Sequence, residues 1–168
     1  MHYDLLVIGS GPAGQKGAIN AAKHCRKVAV VDSRQMIGGC SLHLGTIPSK
    51  TLREAILYFS GVRQRAFYGM DYTLKDDISA ADLAYRVRAV LEREGEVVRA
   101  QLKRNGVTTV SGLARFADPH TIEVEAEGDG GPIRLTADYI LIACGTRPAQ
   151  PPIVTADGRQ VFTSDQLL

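Results

Sequence analysis

The sequence has no long apolar run. Its longest, such as Leu5 to Ile8 and Val28 to Val31, fall far short of the roughly 20 residues that a membrane-crossing helix needs. The N-terminus lacks a basic region followed by an apolar stretch and a small-residue cleavage site; Met1-His2-Tyr3-Asp4 passes straight into a strand pattern, so no secretory leader is expected. No block of one charge is present either. The 20 Lys and Arg are dispersed among 18 Asp and Glu, for a net charge of +2, which argues against nucleic acid or an anionic membrane as a partner. Cysteine is scarce: Cys25, Cys40 and Cys144 are odd in number and far apart, unlike the framework of a disulfide-stapled secreted scaffold. A reducing cytoplasm is the expected compartment. Internal repeats and low-complexity segments are absent. What is there is 168 residues, 45% apolar and 23% charged, an ordinary globular composition of a length that suits one domain of roughly 150 residues.

Leu5-Leu6-Val7-Ile8 is a continuous apolar run ended by Gly9, as expected of a strand buried on both faces of a parallel sheet. Residues 13–24 follow with good helix formers, and Val28-Ala29-Val30-Val31 repeats the buried-strand pattern, so the first 31 residues read as a βαβ unit. Ile47 to Phe59 reads as a second helix, Pro48 being tolerated in its first turn. Ser79 and Asp82 have capping-box spacing and open a long amphipathic helix carrying Leu83, Val87, Val90, Leu91, Val97, Val98 and Leu102, which Asn105-Gly106 stops. Val107 to Val110 supplies another short apolar strand. The period then changes to two in Thr121 to Glu125 and again in Ile133 to Thr136, with turn residues from Glu127 to Pro132, the pattern of a small antiparallel hairpin or meander. Tyr139 to Ala143 is a further buried-strand run, and a proline-rich exit follows Cys144-Gly145-Thr146-Arg147-Pro148.

Gly9-Ser10-Gly11-Pro12-Ala13-Gly14 is a G-x-G-x-x-G between a predicted strand and a predicted helix, with Ala18 four residues beyond the last glycine. That context identifies a dinucleotide-binding turn. Gly9 permits the tight turn, Gly11 lets a pyrophosphate approach the backbone, and Gly14 lets helix and strand pack closely, while the helix N-terminus faces the phosphate charge. Asp32 follows the second strand, placed to accept hydrogen bonds from a ribose diol. The motif alone does not separate FAD from NAD, since both present an adenosine diphosphate. Ser49-Lys50-Thr51 has the end of a nucleoside-triphosphatase phosphate loop, but Leu44 and Ser49 stand where that loop needs glycine. Cys40-x-x-His43 has no second pair to complete a metal site, so no metal is expected.

The segment Gly38-Gly39-Cys40-Ser41-Leu42-His43-Leu44-Gly45-Thr46-Ile47-Pro48-Ser49-Lys50 resembles the FAD-dependent pyridine nucleotide-disulphide oxidoreductases, which carry two glycines, a Cys-x4-Cys pair and then Ile-Pro-Ser-Lys. Arg115-Phe116-Ala117-Asp118, Ile142-Ala143-Cys144-Gly145-Thr146-Arg147-Pro148 and Ser164-Asp165 extend the resemblance over nearly the whole chain. Aligned on Gly38-Gly39 and Ile47 to Lys50, the redox cysteines of the family fall at Ser41 and Thr46. Cys40 lies one residue too early and has no partner there, so the thiol–disulfide exchange that reduces a disulfide substrate does not operate. The branch of the family without the pair is the soluble, Si-specific NAD(P) transhydrogenases, whose pattern also ends Gly-Thr-Ile-Pro-Ser-Lys, as Gly45 to Lys50 does here.

The resemblance implies an α/β fold: a Rossmann-like FAD-binding domain of parallel sheet and helices, plus a small antiparallel β-meander, truncated. It implies FAD as cofactor, bound by Gly9, Gly11, Pro12, Ala13, Gly14, Asp32, Ser33, Gly38, Gly39, Cys40, Ser41, Lys50, Ala114, Ala143, Gly145 and Thr146. The family usually has Glu where Asp32 stands, one methylene longer. Lys50 matches the family lysine near the reactive edge of the flavin, and Ser41 and Thr46 mark the missing thiols. The implied reaction is hydride transfer from NADPH to NAD through FAD, with NADPH and NAD as partners of the full-length enzyme and a homodimer formed through an absent C-terminal domain. Residues 1–150 are then the N-terminal part of the FAD-binding domain, with the meander at about 119–137, and 151–168 a linker toward an absent NAD(P)-binding domain. By itself such a chain is expected to be inactive. Two alternatives stand beside this reading: a disulfide reductase homologue akin to dihydrolipoamide dehydrogenase, in which Cys40 pairs with Cys144, and a non-catalytic FAD-binding module.

Overall fold

The computed structural model describes every residue except 33–36, 73, 126–130, 150–151, 155 and 168. In chain order the elements are β1 (His2–Ile8), α1 (Pro12–Lys23), β2 (Val28–Asp32), α2 (Gly39–His43), α3 (Thr46–Phe59), α4 (Arg65–Tyr68), α5 (Ala80–Arg104), β3 (Thr108–Ser111), β4 (Leu113–Asp118), β5 (Thr121–Glu125), β6 (Ile133–Ile142) and α6 (Ser164–Leu167). They fall into two compact units. One is made of Met1–Ser41 and Gly95–Ala149, the other of Leu42–Glu94 and Gln150–Leu168.

The first unit is built on a six-stranded sheet in the order β3-β2-β1-β6-β5-β4. The continuous apolar runs of β1 and β2 become its centre because both of their faces are covered. β1 runs parallel to β2, pairing Leu5 with Val28 and Ile8 with Val31, and parallel to β6, pairing Leu5 with Tyr139 and Ile8 with Ile142. β2 runs parallel to β3. Alternate residues point to opposite faces, and the two faces pack into separate cores. On one, Val7, Val28 and Val30 meet Ala18 of α1 and Leu102 of α5. On the other, Leu6, Ala29 and Val31 meet Ile122 and Val124 of β5 and Leu135 of β6. The fold is thus the expected α/β arrangement of a Rossmann-like sheet with an antiparallel meander.

Two features of the meander differ from the sequence expectation. Ile133–Thr136 and Tyr139–Ala143 were expected as separate strands, but Ile133–Ile142 is one strand of ten residues. It pairs antiparallel with β5 through Ile133–Thr136 and parallel with β1 from Thr136 onward, so Thr136 and Ala137 are held on the register of His2 and Tyr3 and no turn interrupts it. The second is β4, which carries no period-two signal because most of its residues are exposed; it forms by pairing with β5, from Leu113 opposite Glu125 to Asp118 opposite Thr121. The turn expected at Glu127 to Pro132 lies largely outside the described residues.

In the second unit, Pro48 sits in the first turn of α3, where its missing N–H leaves no broken bond. The capping box expected before α5 is present: the Ser79 N–H donates to Asp82 Oδ2 at 2.9 Å and the Asp82 N–H donates to Ser79 Oγ at 3.2 Å. Lys75 and the Ser79 hydroxyl also donate to that carboxylate, and together they hold Asp82 well below the usual carboxylate range.

At the other end of α1, Cys25 occupies the left-handed region with φ of 57°. The Cys25 N–H bonds to the Ala22 carbonyl and the Arg26 N–H to the Ala21 carbonyl, the two bonds of a helix stop that favours glycine. Cys25→Gly removes left-handed strain of about 1–2 kcal/mol, partly offset by the greater entropy of glycine in the unfolded chain. It is therefore expected to raise Tm by roughly 1–4 °C, measured by thermal circular dichroism; a lower Tm would contradict this account of the turn.

Candidate nucleotide-binding cleft

The chain runs outward from β1 through β2 to β3, then returns to the opposite side of β1 as β6. The order of parallel strands therefore reverses between β1 and β6, and in open α/β sheets ligands bind at the carboxyl ends of the strands flanking such a reversal. A cleft of about 540 Å³ lies there, within the size range of small-molecule sites. Its walls lie wholly in the first unit. Gly9, Gly11, Pro12 and Ala13 line it after β1, Asp32 at the end of β2, Gly39, Cys40 and Ser41 at the start of α2, Ala114 on β4, and Ala143, Gly145 and Thr146 after β6.

The glycines do different jobs. Gly9 has φ of +103°, and a Cβ there would lie 2.3 Å from the Ala143 carbonyl oxygen, so this turn also fixes how closely the end of β6 approaches. A Cβ on Gly14 would meet the Gly9 carbonyl oxygen at 1.9 Å; Gly14 is buried beneath the cleft, where it lets α1 start against the end of β1. Gly39, with φ of +64°, brings its backbone against Gly11, and a Cβ there would lie 2.7 Å from Gly11 Cα. The two glycine turns are therefore in contact. Gly38 is buried beside them.

Electrostatically, the cleft is prepared for an anion. Gly11 is the N-cap of α1 and offers no side-chain cap, and the first turn holds no acidic residue, so the N–H groups that a helix start leaves unmatched, and the positive end of its dipole, are not neutralised by the helix itself. Asp32 supplies a carboxylate at a separate position. The Ser10 N–H donates to Asp32 Oδ2 at 2.8 Å and the Ser10 hydroxyl donates to the same oxygen. Ser10 is fully buried, and nothing in the glycine fingerprint singled it out. Gly112, which bonds to the Asp32 carbonyl through its N–H, and Phe116 and Arg147 of the cleft wall were likewise missed, Phe116 because β4 had no periodic signal.

The remaining predicted residues fall elsewhere. Thr46 and Lys50 are exposed on α3 in the second unit, and Ser33 lies outside the described residues. Cys40 and Cys144 both line the cleft and both are free thiols, as is Cys25; Cys40 Sγ lies 3.8 Å from the Thr146 carbonyl. Among the described residues no cluster of His, Cys, Asp and Glu could hold a metal ion, and no helix is long and apolar enough to cross a membrane. A separate groove between α1 and α5, with Lys16, Lys23 and Arg104 on its rim, contains none of the predicted residues.

Sheet order, glycine turn and helix start together define a dinucleotide-binding fold of the Rossmann class. Comparison with known proteins makes this specific: residues 3–167 match the pyridine nucleotide-disulphide oxidoreductase family, and the chain belongs to it. It is 51% identical over 166 residues to a soluble pyridine nucleotide transhydrogenase of Mycobacterium tuberculosis and 37% identical to one of Erwinia tasmaniensis, in each case over 99% of this chain. It spans only 36% and 35% of the length of those relatives. Among solved structures, the HOCl-induced flavoprotein disulfide reductase from Escherichia coli superposes with a TM-score of 0.73 at 26% identity, over 98% of this chain and 33% of that one.

Gly14→Ala is expected to destabilise the chain by about 2 kcal/mol or more, because the added methyl overlaps backbone, which cannot rotate aside, and to impair nucleotide binding in whatever remains folded. Chemical denaturation measures the first effect; an unchanged midpoint would contradict the close approach of Gly14 to Gly9.

Proposed function

We propose that the cleft binds FAD in extended form and that the whole protein is an FAD-dependent oxidoreductase transferring hydride between NADPH and NAD. The observation that carries the reading is the uncapped start of α1, flanked by open glycine backbone at the strand-order reversal and by a carboxylate at the end of β2. An adenosine diphosphate has complementary parts: a doubly charged pyrophosphate for the helix start and a ribose diol for the acid.

In this assignment the pyrophosphate lies over Gly9, Gly11 and Gly14, with Pro12 and Ala13 forming the first turn behind it. Asp32 accepts from the adenosine ribose, with Ser33 next to it, and Ala114 meets the adenine. Gly38, Gly39, Cys40 and Ser41 line the ribityl and flavin side, while Ala143, Gly145 and Thr146 close the turn after β6. Lys50 supplies a positive charge near the flavin edge, where it favours the electron-rich state of the ring. Bound FAD supplies the redox chemistry, taking hydride from one nicotinamide and giving it to another. The chain's own part is orientation and charge. Ser41 and Thr46 stand where a disulfide reductase of this family carries thiols, so no dithiol relay is available at those positions.

The likeness to soluble pyridine nucleotide transhydrogenases supports the hydride-transfer reading, and Si-specificity is proposed on the same resemblance. We assign residues 1–150 to part of an FAD-binding domain and 151–168 to a connection toward an NAD(P)-binding domain in the whole protein. NADPH and NAD are its substrates, a homodimer its assembly and the cytoplasm its compartment. The present chain holds one glycine fingerprint, at Gly9 to Gly14, so on its own it is expected to bind flavin without turning over nicotinamides.

The test is reconstitution. The purified chain mixed with FAD and passed through gel filtration is expected to retain a flavin absorption band close to one equivalent, and to give three titratable thiols when denatured, before and after reduction. A colourless eluate from folded protein would overturn FAD binding. Loss of two thiols in the unreduced sample would favour the disulfide reductase instead.

A further inference from the structure

Within the first unit one side chain joins three parts of the cleft. The Ser10 hydroxyl donates to Asp32 Oδ2 and accepts from the Gly38 N–H at 3.1 Å, while the Ser10 N–H donates to the same carboxylate oxygen at 2.8 Å. Its carbonyl accepts from Gln15 Nε2 at 2.8 Å, which ties it to the first turns of α1. Ser10 is one of two buried polar residues among those described, and burying a hydroxyl is unfavourable unless it is fully hydrogen-bonded. Here the donor and an acceptor site of the hydroxyl are both used.

From this network we propose that Ser10 is the positioning residue for ribose recognition: it fixes the direction of the Asp32 carboxylate and holds Gly38 against the same point, so that the ribose acceptor and the second glycine turn are set together. The proposal rests on the FAD reading above. A carboxylate can accept about four hydrogen bonds, and Ser10 supplies two of them on one oxygen, from its N–H and its hydroxyl, which restrains the direction of that side chain. Aspartate is one methylene shorter than glutamate, so its reach is set by where it is held more than by its own flexibility.

Two variants and two probes test this. The probes are FAD and its analogue lacking the 2′-hydroxyl of the adenosine ribose, titrated against the folded chain by calorimetry. Wild type is expected to prefer FAD by about tenfold, the worth of one hydrogen bond to a charged acceptor. Asp32→Ala is expected to bring the ratio close to one. Ser10→Ala is expected to reduce it to within about twofold, with no further change when combined with Asp32→Ala. Ser10→Cys keeps the side-chain shape with a somewhat larger atom that donates weakly, and is expected to lie between them, so the test survives if the alanine variant does not fold. A purely structural Ser10 would weaken both probes equally and leave the ratio at its wild-type value; that result overturns the proposal and leaves FAD binding intact. Wild type that binds neither probe removes the FAD reading and the proposal together.

Discussion

The site depends first on how closely α1 starts against the end of β1. With a Gly14 Cβ position only 1.9 Å from the Gly9 carbonyl oxygen, the helix approaches the strand at a distance that no side chain permits. That approach leaves the helix start at the rim of the sheet, with its N–H groups unmatched by any acid of its own first turn. A larger residue at position 14 would move α1 outward and carry the helix start with it. The packing of Ala18, with no exposed surface, on Val7 and Val28 then holds the helix in place.

Around that contact the sheet supplies the walls. β1, β2 and β6 run parallel, and their carboxyl ends deliver Gly9, Asp32 and Ala143 to one cleft. β6 serves both halves of the sheet: its first residues pair with the meander and its last with β1. The meander therefore does more than cover an apolar face. Through Gly112, hydrogen-bonded to the Asp32 carbonyl, and Ala114 it also supplies the wall of the cleft on the β2 side.

Much of this was legible in the sequence because it rests on local rules. Unbroken apolar runs marked β1 and β2, the glycine spacing marked the turn, and the Ser79–Asp82 pair marked the start of α5. The fold class was legible for the same reason, since a backbone that must approach another backbone closely admits little besides glycine, and the family was legible in the Gly38 to Lys50 segment. What the sequence hid depends on tertiary partners. β4 is a strand only because β5 pairs with it, and its exposed residues follow no apolar period. Ile133–Ile142 is continuous only because β1 takes over where β5 stops. Ser10 occupies an unconstrained position of the fingerprint, and its importance arises from Asp32, 22 residues away, and Gly38, 28 residues away.

The central claim is that the backbone between Gly9 and Gly14 receives the pyrophosphate of a flavin dinucleotide. The most direct measurement is a titration of the isotopically labelled chain with FAD, followed through its backbone amide resonances. The account predicts that the largest shifts fall on Gly11, Ala13 and Gly14, on Gly38 and Gly39, and on Gly145 and Thr146, and that ADP reproduces those at Gly11 to Gly14. Shifts confined to other residues, or none at Gly11 to Gly14 at saturating FAD, would contradict it.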